Sequence, residues 1–346
     1  MQSYLDGIEH EMQLRPLARP AGTIFIGGGT PGVLSIEDWS KLGRLLHDYT
    51  DISAIKEWTV EMAPSTVHPE KLALLKEIGV TRISVGVQSF QQTTLESLGR
   101  RQPPSRINKA LEQIRDAGFH SWNMDLMFAL PNQTWEEWER DMRTAMDWAP
   151  HHISTYCLTL EEDTPLYLRT LKSGKAPTEE QQEEFYRKTW AFLERNGYAQ
   201  YEISNFSRPN HHCIHNLHTW DMQEWIGIGP SAASQHQFRR WQNIPDHGEW
   251  RRLLDQNKLP EIDSTPLTNL DLAADALVFG LRMNQGVDLS AWSQRFAMSI
   301  DSLNPLLSQY QQYGLLEISN DHIRLTIEGR LVADAVGSEI LTLLDP

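Results

Sequence analysis

At 346 residues, with 40% hydrophobic and 22% charged residues, the chain has the composition of a globular protein with room for one large domain and a smaller one. A formal net charge of −15 argues against nonspecific nucleic-acid binding, and no apolar run approaches the ~20 residues of a membrane-spanning helix. Two cysteines, Cys157 and Cys213, are too few for a disulfide framework or for the three or four thiolates of an iron–sulfur cluster, and they suit a reducing compartment. The acidic start has neither the basic opening nor the apolar core of a secretory signal. A cytoplasmic location is therefore expected, with membrane contact peripheral at most.

Through the first two-thirds, short apolar runs alternate with longer helical patterns. The runs at residues 23–26, 58–62, 82–87, 122–128 and 153–158 include several rich in β-branched or aromatic residues, as buried parallel strands require. Ser35, Thr134 and Thr178 stand just before amphipathic stretches as helix caps, and Gly197 marks a helix stop. Repeated strand–helix units predict a doubly wound sheet or a barrel. Small or polar groups fall at successive strand ends: Gly27 to Thr30, then Glu61, Gln88, Asp125 (within its strand) and Thr159. A barrel gathers such ends at one mouth, so an α/β barrel-like layout is expected over residues 1–235. Residues 236–265 read as a connecting segment. From residue 266 to 346 the order helix, helix, short hairpin, helix predicts a small winged-helix-like α+β domain. The acidic balance there favours packing or protein contact over DNA binding. Arg239, Arg240, Arg251 and Arg252 cluster in sequence and read as solvated surface rather than a binding patch.

The turn GGGTPG at 27–32 lets backbone N–H groups approach a carboxylate or phosphate, although a tight turn alone accounts for one or two of its glycines. Its spacing is that of neither a dinucleotide site nor a P-loop. Glu61 is either a solvated carboxylate or an acceptor for a ribose diol. Gln88 and Asp125, if buried without partners, would each cost roughly 1–3 kcal/mol, so they are satisfied in the core or face a ligand. His211, His212, Cys213, His215 and His218 form a dense run of candidate ligands for heme iron or zinc. The spacing fits no standard zinc site, and a solvated histidine-rich loop is the competing reading.

The segments GGGTP, VEMAP, GVQSF, LGRRQ, NMDLMFALPNQTWEEW, HISTYCLTLEEDTPLY, GYAQYEISNFSRP, HNLHTW and GIGPSAAS follow one another in a familiar order. Together they resemble the radical S-adenosylmethionine (SAM) family around oxygen-independent coproporphyrinogen III oxidase. The resemblance runs from about residue 3 into the C-terminal domain, where GLLEI and RLTIEGRLVADAV are similar too. It implies an incomplete (β/α)6 barrel, its first strand missing, with a small C-terminal domain. By position, Gly28, Gly29 and Thr30 match the loop that holds the methionine part of SAM, and Glu61 matches the ribose-binding carboxylate. Gln88, Arg100 and Asp125 match further SAM contacts, and Thr159 and Ala233 match residues flanking the adenosine.

That family has two relevant branches. One decarboxylates coproporphyrinogen III in heme biosynthesis; the other binds heme, delivers it to hemoproteins and is marked by an HNxxYW motif. Residues 215–220 read HNLHTW, with Thr219 at the Tyr position. Together with LEEDTPLY and SLGRRQ, this resembles the chaperone branch. The resemblance implies heme contact by His215, Asn216 and Trp220, with His215 beside the iron; a structural or hydrogen-bonding His215 is the alternative. Radical SAM proteins carry a [4Fe–4S] cluster on a CxxxCxxC loop, and this sequence contains none. It opens at the helix expected after that loop. A start placed too late is the leading expectation, with a natural cluster-less paralog or a decaying remnant as alternatives. As written, the chain is expected to bind heme without radical chemistry and to carry an unpaired sheet edge prone to association. An oxidase and a catalytically silent scaffold are the competing functions.

Overall fold

The computed structural model describes residues 1–16, 20–100, 102–160, 162, 164–173 and 176–344. Arg101, Glu161 and Asp163, which belong to motifs quoted above, lie outside the described residues. In chain order the regular elements begin with α1 (Gln2–Leu14), β1 (Thr23–Ile26), α2 (Ile36–Tyr49), β2 (Glu57–Met62), α3 (Pro69–Glu77), β3 (Arg82–Gln88), α4 (Gln92–Ser97) and α5 (Pro104–Ala117). They continue with β4 (Ser121–Phe128), α6 (Trp135–Asp147), β5 (His152–Cys157), α7 (Pro165–Ser173), α8 (Glu179–Arg195), β6 (Ala199–Glu202), β7 (Asn205–Ser207) and α9 (Ile214–Trp220). Last come β8 (Ala233–His236), β9 (Arg239–Asn243), α10 (His247–Asp255), β10 (Glu261–Pro266), α11 (Asn269–Arg282), β11 (Val287–Asp288), α12 (Leu289–Phe296), α13 (Asn304–Gln312), β12 (Leu316–Ser319), β13 (His322–Leu325), α14 (Ile327–Leu331) and α15 (Ala333–Leu344).

These elements form two compact units. One comprises Ile24–Ile36 and Glu57–His212, the other Met1–Thr23, Glu37–Lys56 and Cys213–Pro346. The first unit is built on a seven-stranded sheet in the order β1-β2-β3-β4-β5-β7-β6. Strands β2 to β5 are parallel, and β6 and β7 form an antiparallel hairpin against β5. The predicted βα repetition thus holds as far as β5; the hairpin is a feature that no apolar run marks. Thr134 and Thr178 both form capping boxes, with Glu137 and Gln181, as their positions suggest.

The strands are not uniformly apolar. β2, β4 and β5 each begin one residue before the apolar runs, at Glu57, Ser121 and His152, and alternate with a period of two. Val60, Val85, Met124, Leu126, Phe128 and Ile153 share one buried face. Phe128 packs there on Trp138 of α6 and edge-on against Tyr186 of α8, with ring centroids 5.5 and 4.9 Å apart. Each such side chain stabilises the fold by roughly 1.5–3 kcal/mol. The opposite face is polar from β2 to β5, and this alternation creates the site.

In the second unit, β8 to β10 form a three-stranded antiparallel sheet and β11 to β13 another. The succession α11, α12, α13, the β12–β13 hairpin, α14 and α15 matches the helix, helix, hairpin, helix order expected of the C-terminal segment, with added short helices. Arg239, Arg240, Arg251 and Arg252 pair with Glu261, Asp275, Asp255 and Glu249 respectively, at 2.6–2.9 Å, so each cation is matched by an anion. Among the described residues no helix is long and apolar enough to cross a membrane.

Candidate functional site

The parallel register aligns the polar face into rows. Glu61, Ser84, Asn123, His152 and Ser207 are successive partners across five strands. One step towards the carboxyl ends of β3 to β5, Gly86, Asp125, Ser154 and Asn205 form a second row. Glu57, Arg82, Asn123 and His152 are buried, whereas Glu61, Gln88 and Asp125 are half-buried. The polar face therefore becomes more accessible towards the carboxyl ends, where a barrel places its ligands.

The glycine turn after β1 belongs to this end. A Cβ at Gly27 would stand 2.7 Å from the Glu61 carboxyl group, so only glycine lets the turn lie against Glu61. Gly28 has a left-handed φ of +78° and donates its backbone N–H to Glu61. Nothing lies within 4 Å of where a Cβ would stand at Gly28 or Gly29, so their exposed backbone is open to a ligand. Thr30 is exposed and precedes a short 3-10 turn. Below it, the buried Lys71 ammonium donates to the Gly32 carbonyl, and burial lowers its pKa.

Two carboxyl groups define the electrostatics. Burial pushes the Glu61 carboxyl above the usual carboxylate range, the negative Asp125 adds to the rise, and the Gly28 N–H opposes it. Burial raises Asp125 as well, opposed by donors on Asn123, Ser84 and Ser154 and by the Arg82 charge. Gln88 ends β3 just after a register shift, with a left-handed φ of 69°. Its Nε2 lies 3.0 Å from where a Gly86 Cβ would stand, so Gly86 leaves room for that amide beside the Asp125 row. A non-glycine residue held at positive φ is a strain that functional sites retain. Glu61, Asp125 and Gln88, with the exposed backbone of Gly29, can accept from a diol or ammonium group and donate to a carboxylate.

The structure thus brings Gly28, Glu61, Gln88 and Asp125 into one neighbourhood. Arg100, after α4, and Thr159, two residues past β5, are exposed on the same unit, and their side chains make no bond to those four. Ala233 is exposed at the start of β8 in the other unit, its carbonyl accepting from Trp225 Nε1 at 3.2 Å.

The histidine-rich run is divided between the units. His211 lies 4.3 Å from His151 and His212 stacks on Tyr201 at 4.3 Å (ring centroids), all in the sheet unit. Cys213, buried, caps α9, whose His215, Asn216 and Trp220 are all half-buried. His215 Nδ1 is hydrogen-bonded to Thr23 Oγ1 at 2.9 Å, and Thr219 Oγ1 donates to the His215 carbonyl at 3.0 Å. Among the described residues no group of three or more His, Cys, Asp or Glu is arranged to hold a metal ion.

Sequence reasoning missed Asn123, His152, Ser154 and Tyr201, which support Asp125 from below. The signal was present as a polar residue at every second position of aligned strands, hidden because the stronger apolar runs set the strand boundaries.

A parallel sheet thus carries a glycine turn closed on Glu61 and a second carboxylate, Asp125, on the same face. Residues 5–145 match the Radical SAM superfamily and residues 267–332 the HemN C-terminal domain. The fold matches coproporphyrinogen III oxidase (HemN) from Escherichia coli, described as a radical SAM enzyme, with a TM-score of 0.84 and 24% identity, covering 98% of this chain and 82% of that one. The heme chaperone HemW of Bacillus subtilis (strain 168) is 33% identical over 347 residues, spanning 97% of this chain and 90% of the relative. HemW of Synechocystis is 32% identical over 86% of this chain and 72% of the relative. The chain belongs to the HemW family of radical SAM proteins. Membership of the superfamily implies SAM and a [4Fe–4S] cluster as cofactors.

Proposed function

We propose that this protein binds heme, in keeping with relatives named heme chaperones, that it passes the heme to recipient hemoproteins, and that the polar mouth of its sheet unit holds SAM. The observation that carries the heme reading is the bond between His215 and Thr23 within the HNLHTW segment. A histidine held at Nδ1 presents Nε2 to an iron in a fixed orientation, the arrangement most metal-binding histidines use. Asn216 and Trp220 on the same short helix complete the proposed heme contact, and Thr219 turns its hydroxyl back into the helix.

The residues at the mouth fit SAM. Gly28, Gly29 and Thr30 offer open backbone to its methionine part, Glu61 an acceptor for the ribose diol, and Gln88 and Asp125 further polar contacts. Arg100 and Thr159 are proposed as outer contacts on the strength of family position alone. SAM bound beside a reduced cluster supplies the superfamily's radical chemistry. Cys157 and Cys213 do not fit such a cluster: burial pushes the Cys157 thiol up to about 11, Cys213 is buried as a helix cap, and two thiols fall short of the set required. The division into residues 1–235, 236–265 and 266–346 and a cytoplasmic location, supported by the sparse cysteines, belong to the same proposal.

Incubation with hemin and, separately, with coproporphyrinogen III tests the reading. Stable heme uptake with no porphyrinogen consumed supports a carrier. Consumption of coproporphyrinogen III without heme retention overturns it in favour of an oxidase, and neither outcome in a folded chain points to a scaffold.

A further inference from the structure

His152 opens β5 and is fully buried on the polar face. Its burial and the nearby Arg82 charge hold its pKa well below the ordinary value, so the ring is neutral. Nδ1 lies 2.6 Å from Asn123 Oδ1 and Nε2 2.7 Å from the Tyr201 hydroxyl. Asn123 Nδ2 in turn donates to Asp125 Oδ1 at 2.7 Å and to Ser84 Oγ at 2.8 Å.

The direction of this chain follows from chemistry. An ionised carboxylate only accepts, so Asn123 must turn its NH2 towards Asp125 and its oxygen towards His152. His152 therefore donates from Nδ1, and a neutral ring with one proton must accept at Nε2, from Tyr201. A flipped Asn123 would set its oxygen against the Asp125 carboxylate and turn its NH2 towards Nδ1, which would then have to accept while Nε2 donated to Tyr201. Ser154 Oγ lies 3.2 Å from Asn123 Oδ1 and 3.1 Å from Asn205 Oδ1, two of the acceptors within reach of its one hydroxyl proton.

We propose that His152 is a positioning residue for the SAM site: clamped between Tyr201 and Asn123, it locks the Asn123 amide in the orientation that holds Asp125 as an acceptor at the mouth. The inference rests on the SAM reading given above. Asp125 also faces Glu61 and Arg82, so a carboxylate released from Asn123 would shift within a field of mixed sign rather than stay in place. The sequence separations involved, 29 between His152 and Asn123 and 49 between His152 and Tyr201, make this a tertiary device that no local motif reveals.

The test is SAM binding by calorimetry on the full chain, with thermal unfolding of each variant. Asn places its amide where the His Nδ1 stands, and Gln places its amide where Nε2 stands. His152→Asn therefore keeps the donor to Asn123 and is expected to hold SAM affinity within about threefold, whereas His152→Gln keeps only the Tyr201 contact and is expected to bind about tenfold more weakly. Loss of affinity to the same degree in both variants, or in neither, overturns the positioning role, because a role in packing alone does not distinguish them. If either variant fails to fold, Asn123→Asp, isosteric and unable to donate to Asp125, replaces the pair; unchanged affinity there overturns the proposal. No SAM binding by the unaltered chain, or binding indifferent to Asp125→Ala, overturns the SAM reading itself.

Discussion

Trp250 Nε1 donates to Glu11 Oε2 at 2.9 Å, a bond that joins residues 239 positions apart. The same buried carboxylate accepts from Asn243 Nδ2 at 2.6 Å and from the Gly229 N–H at 3.0 Å. Burial raises its pKa, and these donors together with Arg15 oppose the rise. Gly229, at a left-handed φ of +103°, lies in the GIGPSAAS turn that leads to Ala233, so α1 helps to set the backbone of that turn. Glu11→Ala removes the acceptor of three buried donors, of which only Asn243 Nδ2 keeps another, the Gly229 carbonyl, and is expected to cost about 3 kcal/mol in denaturant unfolding. Glu11→Gln keeps an acceptor and is expected to cost less. An unchanged unfolding midpoint for Glu11→Ala contradicts this account.

The glycines of the turn are expected to separate stability from binding. A methyl group at Gly29 meets nothing within 4 Å, whereas one at Gly27 meets the Glu61 carboxyl group. Gly29→Ala should therefore melt like the parent chain yet bind SAM less tightly, its methyl group intruding where the ligand approaches. Gly27→Ala should lose both thermal stability and SAM affinity. Equal melting temperatures for the two variants would count against the packing of the turn on Glu61.

Glu61 offers a test by pH. Its folded pKa lies above the unfolded one, chiefly through burial, so the folded state holds the proton more tightly. The resulting cost is absent below the unfolded pKa of about 4.3, grows as pH rises towards the folded pKa, and stays constant above it. Glu61→Gln removes that cost, and at pH 7 it is expected to raise the melting temperature by about 1–3 °C while weakening SAM binding. The gain should vanish near pH 4. A variant less stable than the parent at pH 7 would show that the Gly28 bond outweighs the burial of charge.

The sequence made the βα framework legible because burial writes itself into apolar runs. β1 at residues 23–26 matches the predicted run, and Thr134 and Thr178 cap their helices as read. Gly28, Glu61, Gln88 and Asp125 stand out in the sequence as small or polar groups at or near strand ends, and the sheet gathers them on one face. What stayed hidden depends on register. Asn123 and His152 look like ordinary polar residues until parallel pairing sets them side by side, and Tyr201 reaches His152 only because the β6–β7 hairpin folds against β5. The run from His211 to His218, read as candidate ligands with a solvated loop as the alternative, finds partners that only tertiary structure reveals: His151 for His211, Tyr201 for His212 and Thr23 for His215.

The central claim is heme carriage through His215, and a hemin titration followed at the Soret band tests it most directly. The unaltered chain should give a saturable spectrum, His215→Ala a clearly weakened one, and Thr23→Val, which removes the Nδ1 partner, an affinity reduced about tenfold. Saturable binding that is identical in the parent and in His215→Ala, or no specific uptake by the folded parent chain, would contradict the account.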